Sequence, residues 1–473
     1  MSQNRPESAS DERPASDVPS RSGSLNVSII GTGYVGLVTG CCLAASGHRV
    51  ICVDRLGDRI ERINRAESPF FEPDLDALLH DVVGDGRLTG STDLPGAVAA
   101  TDVTLIAVGT PDLDGHIDLS QIEQAARDVG AALRSKGSYH VVVVKSTVVP
   151  GTTDGIVRSS LEQAAGKPVG ADFGLCMNPE FLREGSAVND FMHPDRIIIG
   201  TSDDRAAAVL KAIYAPFDCP KLVVSPVNAE LTKYASNALL ATLISFSNEL
   251  ASLCEHTPGA DAELVMDGLH LDKRLSPCVG PVRVTPGILA YLRPSSGYGG
   301  SCLPKDVSAL LAFARSKNLP APLLTAVVQV NERRTQDVLD IAEERLGGFA
   351  GRSVGVLGLA FKAGTDDLRH SPAIKLVEGL RDRGASVTVF DPVAMDSARP
   401  LLADSVAYCD NALDTLANSD VAVIGTSWPE WAQLDWTQIK DAMKGNKVLD
   451  ARNSLRSLTL PRELVVQAIG RGE

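Results

Sequence analysis

One local pattern occurs twice in this chain of 473 residues, once near each end. The first copy runs from the apolar stretch NVSII through GTGYVG to HRVICVD, and the second runs from SVGVLGLAFK through a longer stretch to SVTVFDP. Both read as a strand, a glycine turn, a helix, a glycine stop and a strand that ends in aspartate. Similar stretches, TDVTLIAVGTP and SDVAVIGTSWPE, follow in each half. Two β-α-β nucleotide-binding half-folds explain this repetition.

The chain between the two copies has a different residue pattern, which is typical of a long helix. Residues 228–256 contain neither Gly nor Pro, and Ser225, Pro226 and Asn228 suit the start of a helix. A helix of about 29 residues would be about 43 Å long, which suits a link between two domains and often a subunit interface. A long core helix of one domain is compatible with the same pattern. We therefore predict an α/β fold with two Rossmann-like doubly wound domains joined by a long central helix.

The amino-acid composition argues against some classes of binding partner. A formal net charge of −14 argues against a nucleic-acid partner, and no apolar run reaches the length of a membrane span. Residues 1–24 are rich in Ser, Pro and charged residues and lack an apolar signal region, which predicts a disordered tail. The nine cysteines and eight histidines show no CxxC, HExxH or clustered spacing. This usage predicts no metal site and a reducing, cytoplasmic location.

The first glycine turn, residues 31–36, predicts a dinucleotide site. Gly31 would make the tight turn, Gly33 would let the backbone approach a pyrophosphate, and Gly36 would let the helix pack closely on the strand. Asp54 ends the next strand at a spacing where a carboxylate binds a ribose hydroxyl. A carboxylate there would repel a 2′-phosphate, so the sequence favours NAD over NADP.

Three further motifs lie at predicted strand ends. VGTP at 108–111 and KST at 145–147 end two strands of the first half-fold and would complete the cofactor cleft. NPEFLREG at 178–185 places Glu180 and Glu184 in one loop. These carboxylates could act as a base or position water, or the loop could simply be solvated, and the spacing does not decide between these interpretations.

The long predicted helix carries Lys233 and Asn237 one turn apart on one face. A lysine and an amide aligned in this way could hold a developing oxyanion. A surface ion pair between Glu230 and Lys233 is the simpler alternative, and spacing alone favours it.

The stretch GYGGSCLPKD at 297–306 sets Cys302 just before a helix that is predicted to begin near Pro304. The positive end of the helix dipole, with help from Lys305, is expected to lower the pKa of the thiol and make it a nucleophile. The three glycines before it are expected to leave room for a substrate against the backbone. The alternative is a buried cysteine in a glycine turn, which would not need this setting.

From about Asn26 onward the chain resembles the UDP-glucose/GDP-mannose dehydrogenase family. The motifs that carry the resemblance are GTGYVG, VGTP, KSTVVPGT, NPEFLREG, ELTKYASN, GYGGSCLPKD, LGLAFKAGTDDLR and VLDARN. The resemblance implies an N-terminal Rossmann domain for NAD, a central helical region that dimerises, and a C-terminal Rossmann-like domain for a nucleotide sugar. The predicted bounds are 25–220, 221–335 and 336–473, after the tail at 1–24.

The chemistry that the resemblance implies is a four-electron oxidation of a nucleotide sugar's C6 alcohol to a carboxylate with two NAD. The Cys302 thiolate is expected to attack the intermediate aldehyde, the thiohemiacetal to lose a second hydride, and water to hydrolyse the thioester. A thiol is needed because an aldehyde carbon lacks the second oxygen that eases the next hydride loss. UDP-glucose is the expected substrate, and a homodimer or a higher homo-oligomer is the expected assembly.

The resemblance also implies a role for each matching residue. Lys233 and Asn237 would stabilise an oxyanion, Asp306 would assist water and proton transfer, and Thr147 and Glu180 would order the catalytic water. Arg274 would reach a neighbouring subunit. The expected cofactor-binding residues are Gly31, Gly33, Tyr34, Val35, Gly36, Asp54, Gly109, Thr110, Thr147 and Lys305. The expected substrate-binding residues are Phe181, Leu182, Glu184, Lys233, Asn237, Arg274, Tyr298, Gly299, Phe361, Lys362 and Arg452.

Two features depart from the family pattern. Leu303 follows the cysteine, as in GDP-mannose relatives, where members specific for UDP-glucose usually carry an aromatic residue. The segment 276–296 is longer than expected. Both lie near the expected base and sugar, so the same reaction on a dTDP-, GDP- or N-acetylated sugar is a second hypothesis.

Two hypotheses from other classes are weaker. A two-electron hydroxyacid dehydrogenase would share the first glycine turn but would need neither the GGSC turn nor a second half-fold. A non-catalytic NAD-responsive protein would be expected to lack Cys302, Lys233 or Asp306, and all three are present.

Overall fold

The structure is a computed structural model that describes residues 23–113 and 115–472. The predicted tail at 1–24 lies outside the described residues, apart from its last two. The N-terminal strands are β1 (Asn26–Ile30), β2 (Arg49–Val53), β3 (Leu88–Ser91), β4 (Val103–Ile106), β5 (Asp112–Leu113), β6 (His116–Ile117), β7 (His140–Val144), β8 (Phe173–Met177), β9 (Ile197–Gly200) and β10 (Lys221–Val224). The helices of this part are α1 (Tyr34–Ala45), α2 (Gly57–Asn64), α3 (Leu75–Gly84), α4 (Leu94–Ala100), α5 (Ser120–Leu133), α6 (Arg158–Ala165), α7 (Ala187–Met192) and α8 (Asp204–Ile213).

Eight of these strands form one sheet, in the order β10-β9-β8-β7-β4-β1-β2-β3. From β3 to β8 all neighbours are parallel, β9 meets β8 antiparallel, and β10 runs parallel to β9. Strands β4, β7 and β8 are buried along their whole length, as expected for the middle of a parallel sheet covered by helices on both faces. The six parallel strands have the 3-2-1-4-5-6 order of a dinucleotide-binding fold.

The central region is helical. It contains α9 (Pro226–Glu255), α10 (Ala262–His270), α11 (Leu303–Ser316) and α12 (Pro322–Leu346), and a small hairpin of β11 (Cys278–Val279) and β12 (Val282–Arg283). The predicted long helix is confirmed: α9 has 30 residues, starts with Pro226 after Ser225, and packs against α11 and α12. The helix is about 45 Å long and therefore reaches from the first sheet towards the second domain.

The C-terminal part repeats the first sheet's arrangement. Its strands are β13 (Ser353–Leu357), β14 (Ser386–Phe390), β15 (Ala407–Tyr408), β16 (Val421–Ile424), β17 (Lys447–Asp450) and β18 (Val465–Ala468). Its helices are α13 (Pro372–Asp382), α14 (Met395–Leu402), α15 (Ala412–Leu416) and α16 (Trp436–Ala442). The parallel order β15-β14-β13-β16-β17-β18 is again 3-2-1-4-5-6. The predicted pair of doubly wound domains joined by a long helix is therefore confirmed.

Candidate active site

A cavity of about 1110 Å³ lies where the ends of β7 and β8, the helix α9, the GYGGSC turn and the loop after β13 meet. Segments that are far apart in the sequence thus converge at the carboxyl ends of strands, where open α/β sheets bind ligands. The predicted residues that line the cavity are Glu180, Phe181, Leu182, Glu184, Lys233, Asn237, Tyr298, Gly299, Cys302, Phe361, Lys362 and Arg452.

A buried ion pair joins α9 to the loop after β8. Lys233 Nζ lies 2.8 Å from Glu180 Oε1, and both side chains are almost fully buried. Burial by itself disfavours the charge on Lys233, but the carboxylate of Glu180, with Cys302 and Asp306 nearby, outweighs this effect and raises the pKa of the lysine. Lys233 is therefore a cation that faces the thiol.

Glu230 is buried on the same helix. It accepts hydrogen bonds from the backbone N–H groups of Gly151 at 2.5 Å and Thr153 at 2.8 Å. The alternative of a surface ion pair between Glu230 and Lys233 is therefore wrong, because the two side chains are buried and bind different partners.

Behind the cavity, Asp306 is buried in the first turn of α11. Asn237 Nδ2 donates to its Oδ2 at 2.6 Å, and Lys305 Nζ lies 2.8 Å from its Oδ1. Lys305 is thus paired with a carboxylate and lies outside the residues that line the cavity. A contact of Lys305 with a cofactor stays a prediction.

Cys302 is the N-cap residue of α11, as the position of Pro304 predicts, and it lines the cavity. The predicted lowering of the pKa of its thiol is wrong. Burial raises the pKa of Cys302 to about 11, Lys233 opposes this effect, and Glu180 and Asp306 add to it. Burial and two carboxylates, Glu180 in a distant loop and Asp306 in the first turn of the same helix, outweigh the helix terminus. The thiol therefore needs a base to take its proton.

The glycines of the GYGGSC turn pack against the C-terminal domain. A Cβ on Gly299 would collide with the carbonyl of His370, and one on Gly300 would lie 2.8 Å from Phe361 Cζ. Gly300 N also donates to Arg369 O at 2.8 Å. A Cβ on Gly297 would lie 2.9 Å from Asn331 Oδ1 of α12. All three glycines also line the cavity, so a substrate against their backbone stays a prediction.

The C-terminal sheet contributes one wall of the cavity from two strand ends. Phe361 and Lys362 follow β13, and Arg452 follows β17. Arg452 donates to Gly297 O at 3.4 Å and to Phe361 O at 3.3 Å, which joins this wall to the GYGGSC turn. Burial lowers the pKa of Lys362, and the nearby carboxylate of Glu184 opposes that shift. This wall presents a cation and an aromatic ring to a ligand.

The predicted dinucleotide turn lies at the carboxyl end of β1. Gly31 has a φ of +97°, and a Cβ there would lie 2.7 Å from Ala107 O, while a Cβ on Gly36 would collide with the carbonyl of Gly31. A Cβ on Gly33 would meet nothing within 4 Å. Gly33 is also the N-cap of α1 and offers no side chain to its first N–H groups. This open, uncapped helix end fits the pyrophosphate of a dinucleotide.

Asp54 lies beside this turn after β2. Its Oδ2 accepts hydrogen bonds from Thr32 N at 2.9 Å and Thr32 Oγ1 at 2.8 Å, and its Oδ1 accepts one from Leu56 N at 3.1 Å. Burial favours the neutral acid, but these bonds and Arg59 outweigh it and lower the pKa of Asp54. The resulting charged carboxylate fits a ribose with a free 2′-hydroxyl.

The other predicted cofactor residues lie around the same cleft. Thr110 Oγ1 donates to Thr147 O at 2.9 Å, so the ends of β4 and β7 are joined, and Gly109 is exposed beside them. Tyr34 and Val35 form the first turn of α1.

Arg274 lies apart from the cavity. Its Nε is 3.0 Å from Asp272 Oδ2 in its own loop, and its side chain is exposed. Its predicted reach to a neighbouring subunit stays a prediction. The unexpectedly long segment 276–296 forms the β11–β12 hairpin and a 3₁₀ turn, Gly287–Tyr291, that lines the cavity.

Sequence reasoning missed several polar groups of the site. Lys145 Nζ donates to Asn178 Oδ1 at 2.9 Å, and both residues are buried at the cavity. Ser301 and Asp367 contact Cys302 and Glu184, respectively. All four lie within the motifs KST, NPEFLREG, GYGGSCLPKD and LGLAFKAGTDDLR, so motif membership was the available signal.

None of the helices in the described part of the chain combines the length and the apolar character needed to cross a bilayer. Within residues 23–113 and 115–472, no three His, Cys, Asp or Glu side chains are grouped as ligands for a metal ion.

Three domains of one protein family match the chain in order. The NAD binding domain of the UDP-glucose/GDP-mannose dehydrogenase family matches residues 25–218, its central domain matches 227–333, and its UDP binding domain matches 355–457.

Named relatives match over nearly the whole chain. UDP-glucose 6-dehydrogenase AglM of Haloferax volcanii is 42% identical over 434 residues, which cover 90% of this chain and 96% of the relative. GDP-mannose 6-dehydrogenase of Azotobacter vinelandii is 38% identical over 438 residues, with the same coverage of 90% and 96%. A solved UDP-glucose dehydrogenase from the hyperthermophilic archaeon Pyrobaculum islandicum is 42% identical, covers 96% of this chain and 100% of its own, and has a TM-score of 0.86.

Proposed function

This chain belongs to the UDP-glucose/GDP-mannose dehydrogenase family, and from that premise we propose that it oxidises the C6 alcohol of UDP-glucose to a carboxylate in two NAD-dependent steps. The observation that carries the proposal is the position of Cys302, whose thiol lies in one cavity with Lys233 and Asn237. An enzyme that stopped at the aldehyde would need no nucleophile there. UDP-glucose is favoured because relatives of that activity are 42% identical to this chain.

In the first oxidation the C6–H bond breaks as a hydride leaves, and the hydroxyl proton passes to water ordered by Thr147 and Glu180, which gives an aldehyde. The turn of Gly31, Gly33 and Gly36 would hold two NAD molecules in succession, each of which would supply the acceptor for one hydride. Lys233 stays charged next to Glu180, and Asn237 uses one amide N–H for Asp306 and has the other free for a ligand. Together they would stabilise the C6 oxygen as it becomes anionic.

The second oxidation proceeds through the protein. The sulfur of Cys302 bonds to the aldehyde carbon, and the thiohemiacetal loses a hydride to become a thioester. A water molecule then adds to the thioester carbon, the carbon–sulfur bond breaks, and the carboxylate leaves. Asp306, Glu180 and Thr147 are proposed to orient that water and to move its protons.

The C-terminal wall is proposed to hold the nucleotide. Lys362 would offer a cation to the diphosphate, and Phe361 would offer a ring to the base or ribose. Arg452 donates a hydrogen bond to Phe361 O and so would hold this segment in place. On the opposite wall, Phe181, Leu182 and Glu184 would contact the sugar.

The same reaction on a GDP-sugar is the second candidate. Leu303 stands where UDP-glucose enzymes usually have an aromatic residue, and a GDP-mannose 6-dehydrogenase is 38% identical to this chain. A panel of UDP-, GDP- and dTDP-sugars assayed for NADH release separates the two candidates by kcat/KM.

A homodimer through α9 is part of the proposal. Leu239, Phe246 and Leu253 recur every seven residues on this helix, and each is about half exposed (51, 48 and 61%). A second copy packed on this stripe would bury it, and a contact of Arg274 with that copy is a further part of the proposal. A cytoplasmic location is also proposed, because all nine cysteines are free thiols.

The test of the proposed function is the fate of Cys302 variants. The native enzyme should release two NADH per sugar and little free aldehyde. Cys302→Ala should lower steady-state turnover by about 10³-fold or more, as loss of an essential nucleophile does in other enzymes. Any residual activity should stop at the aldehyde.

The matched control is Cys278→Ala, because this thiol is exposed and lies outside the cavity residues. Its turnover should equal that of the native enzyme. Two NADH per sugar at a near-native rate from Cys302→Ala would exclude the covalent route.

A further inference from the structure

A chain of side chains leads away from the Cys302 thiol. Ser301 Oγ lies 3.4 Å from Cys302 Sγ and donates a hydrogen bond to Glu184 Oε1 at 2.9 Å. Because the Ser301 proton is directed to the carboxylate, the Ser301 oxygen is left as an acceptor for the thiol proton. The thiol, the hydroxyl and the carboxylate therefore form a continuous path for a proton.

The far end of this path is held by the C-terminal domain. Arg369 Nη2 lies 3.3 Å from Glu184 Oε1 and 2.8 Å from Asp367 Oδ2, and the side chains of Glu184 and Asp367 are both about one-tenth exposed. Among the described residues, Oε2 of Glu184 is a buried oxygen that no donor reaches. Glu184 and Asp367 also interact through a side-chain hydrogen bond, which requires that one of the two carboxyl groups is protonated.

The groups around Glu184 set its pKa in a range that suits a proton acceptor. Burial and then the charge of Asp367 raise the pKa of Glu184 to about 7, with Arg369 opposing. Tyr34 and Lys362 also face Glu184. Glu184 can thus change its protonation state at neutral pH.

At the thiol end, Lys233, Glu180, Asp306 and Arg369 are the charged groups that act on Cys302. Lys233 and Arg369 would stabilise the thiolate once its proton has left.

We propose, on the basis of the covalent mechanism above, that Ser301 relays the Cys302 proton to Glu184 and that Asp367 is a positioning residue for this acceptor. In the step, the S–H bond breaks and its proton binds Ser301 Oγ, while the proton of Ser301 passes to Glu184. A thiol and a carboxylate become a thiolate and a carboxylic acid, so charge and atoms balance. The reverse transfer returns a proton to sulfur when the thioester is hydrolysed.

This relay makes the nucleophile depend on contact between the two domains. Asp367 and Arg369 lie on the loop after β13, and Gly185, beside Glu184, has room only for a hydrogen there. A Cβ on Gly185 would lie 2.7 Å from Gly364 O. The loop must dock on the N-terminal domain for the acceptor to be in place.

The experiment follows alkylation of Cys302 by iodoacetamide in the full-length enzyme without NAD or sugar, from pH 5 to 9. Peptide mass spectrometry measures Cys302 and, in the same sample, the exposed thiol of Cys278 as an internal control. In the native enzyme the Cys302 rate should rise through about pH 7, where Glu184 loses its proton. Ser301→Ala should abolish this rise and lower the rate at pH 8 by about 100-fold, the contribution of a positioned base.

Two further variants separate a relay from a structural role. Ser301→Thr keeps a hydroxyl and should restore the rise. Asp367→Asn should move the rise to lower pH, because the charge that raises the pKa of Glu184 is gone. The Cys278 rate should be the same in every variant. A Ser301→Ala enzyme that keeps the rise near pH 7 would overturn the relay, and an unmoved rise in Asp367→Asn would overturn the positioning role.

Failure of the relay and failure of the proposed function give different results. If the native enzyme shows the rise but produces no NADH with any nucleotide sugar, the function is wrong and the relay stands. If it releases two NADH per sugar while Ser301→Ala keeps the native alkylation profile, only the relay is wrong.

Discussion

The two half-folds share the backbone geometry of their first glycine turn but differ in the groups that surround it. Gly31 after β1 has a φ of +97°, and Gly358 after β13 has a φ of +90°. Each donates its N–H at 2.8 Å to the last residue of the neighbouring strand, Val53 in one case and Phe390 in the other. The shared turn explains why both halves show the same sequence pattern.

The aspartates after the second strands diverge. Asp54 stays at the edge of the cleft, where only 9% of its side chain is exposed but its carboxylate borders the open space of the glycine turn. Asp391 is fully buried, and its Oδ2 accepts hydrogen bonds from Leu359 N at 2.7 Å and Trp428 Nε1 at 3.0 Å. A ribose can reach the first carboxylate but not the second.

The helices after the two turns also differ. Helix α1 starts at Tyr34, directly after its turn, with no capping side chain. Helix α13 starts only at Pro372, and Ser371 caps it by accepting a hydrogen bond from Ala373 N. The chain between Gly358 and Ser371 supplies Phe361 and Lys362 to the cavity. Asp367 and Arg369 of the same loop contact Glu184. One architecture therefore leaves an uncapped helix end, which fits a phosphate, in one copy and carries side chains to the cavity in the other.

The largest expected effect on NAD binding comes from a substitution that disrupts the first glycine turn. Gly36→Ala places a Cβ against the carbonyl of Gly31, so turn and helix must separate. We expect kcat/KM for NAD to fall by about 100-fold, as a displacement of about 1 Å in a binding turn does. Gly358→Ala is the matched change, with its Cβ 2.5 Å from Thr426 Cβ. It should leave the Kd for NAD, titrated without sugar, within about threefold, because the NAD turn lies in the other half-fold. Gly36→Ala should raise the same Kd by about 100-fold. An equal loss in both variants would mean that the turns do not act independently.

A smaller effect separates the two aspartates. Asp54→Asn removes the charge that opposes a 2′-phosphate and frees Arg59, whose Nη1 lies 3.4 Å from Asp54. The ratio of kcat/KM for NAD over NADP should fall by about tenfold, equivalent to about 1.4 kcal/mol. Asp391→Asn should keep the native ratio but lower the free energy of unfolding, measured in urea, by about 1.5–3 kcal/mol. A changed ratio in Asp391→Asn would contradict the assignment of the cofactor to the first half-fold.

The smallest effect concerns the loop that only the second half-fold carries. Lys362→Met should raise KM for the nucleotide sugar by about fivefold, since a partly screened ion pair contributes about 1 kcal/mol. KM for NAD should not change. The control is Lys444→Met, an exposed lysine of the same domain that pairs with Asp420. If both lysine variants had the same KM for the sugar, Lys362 would not contact the diphosphate.

Local patterns predicted most of what is local in this molecule. The predicted helix at 228–256 is observed at Pro226–Glu255, and Cys302 lies at the start of α11 as its neighbouring proline indicates. These features follow from periodicity, capping and the fixed φ of proline, all of which operate within a few residues of the chain. The motifs also placed most of the predicted substrate residues around one cavity.

The chemical state of the site depended on residues that are distant in sequence. The sequence by itself determined two Rossmann-like halves, a long connecting helix and a cysteine at a helix start, because short-range geometry encodes each of them. Only the tertiary structure decided that Glu230 is buried away from Lys233, that Gly299 and Gly300 pack against the second domain, and that burial raises the pKa of the thiol. Glu184 and Arg369, which are 185 positions apart, meet beside that thiol. Burial and charge are sums over everything that folding brings near a group, so neither can be read from the neighbours of that group in the chain.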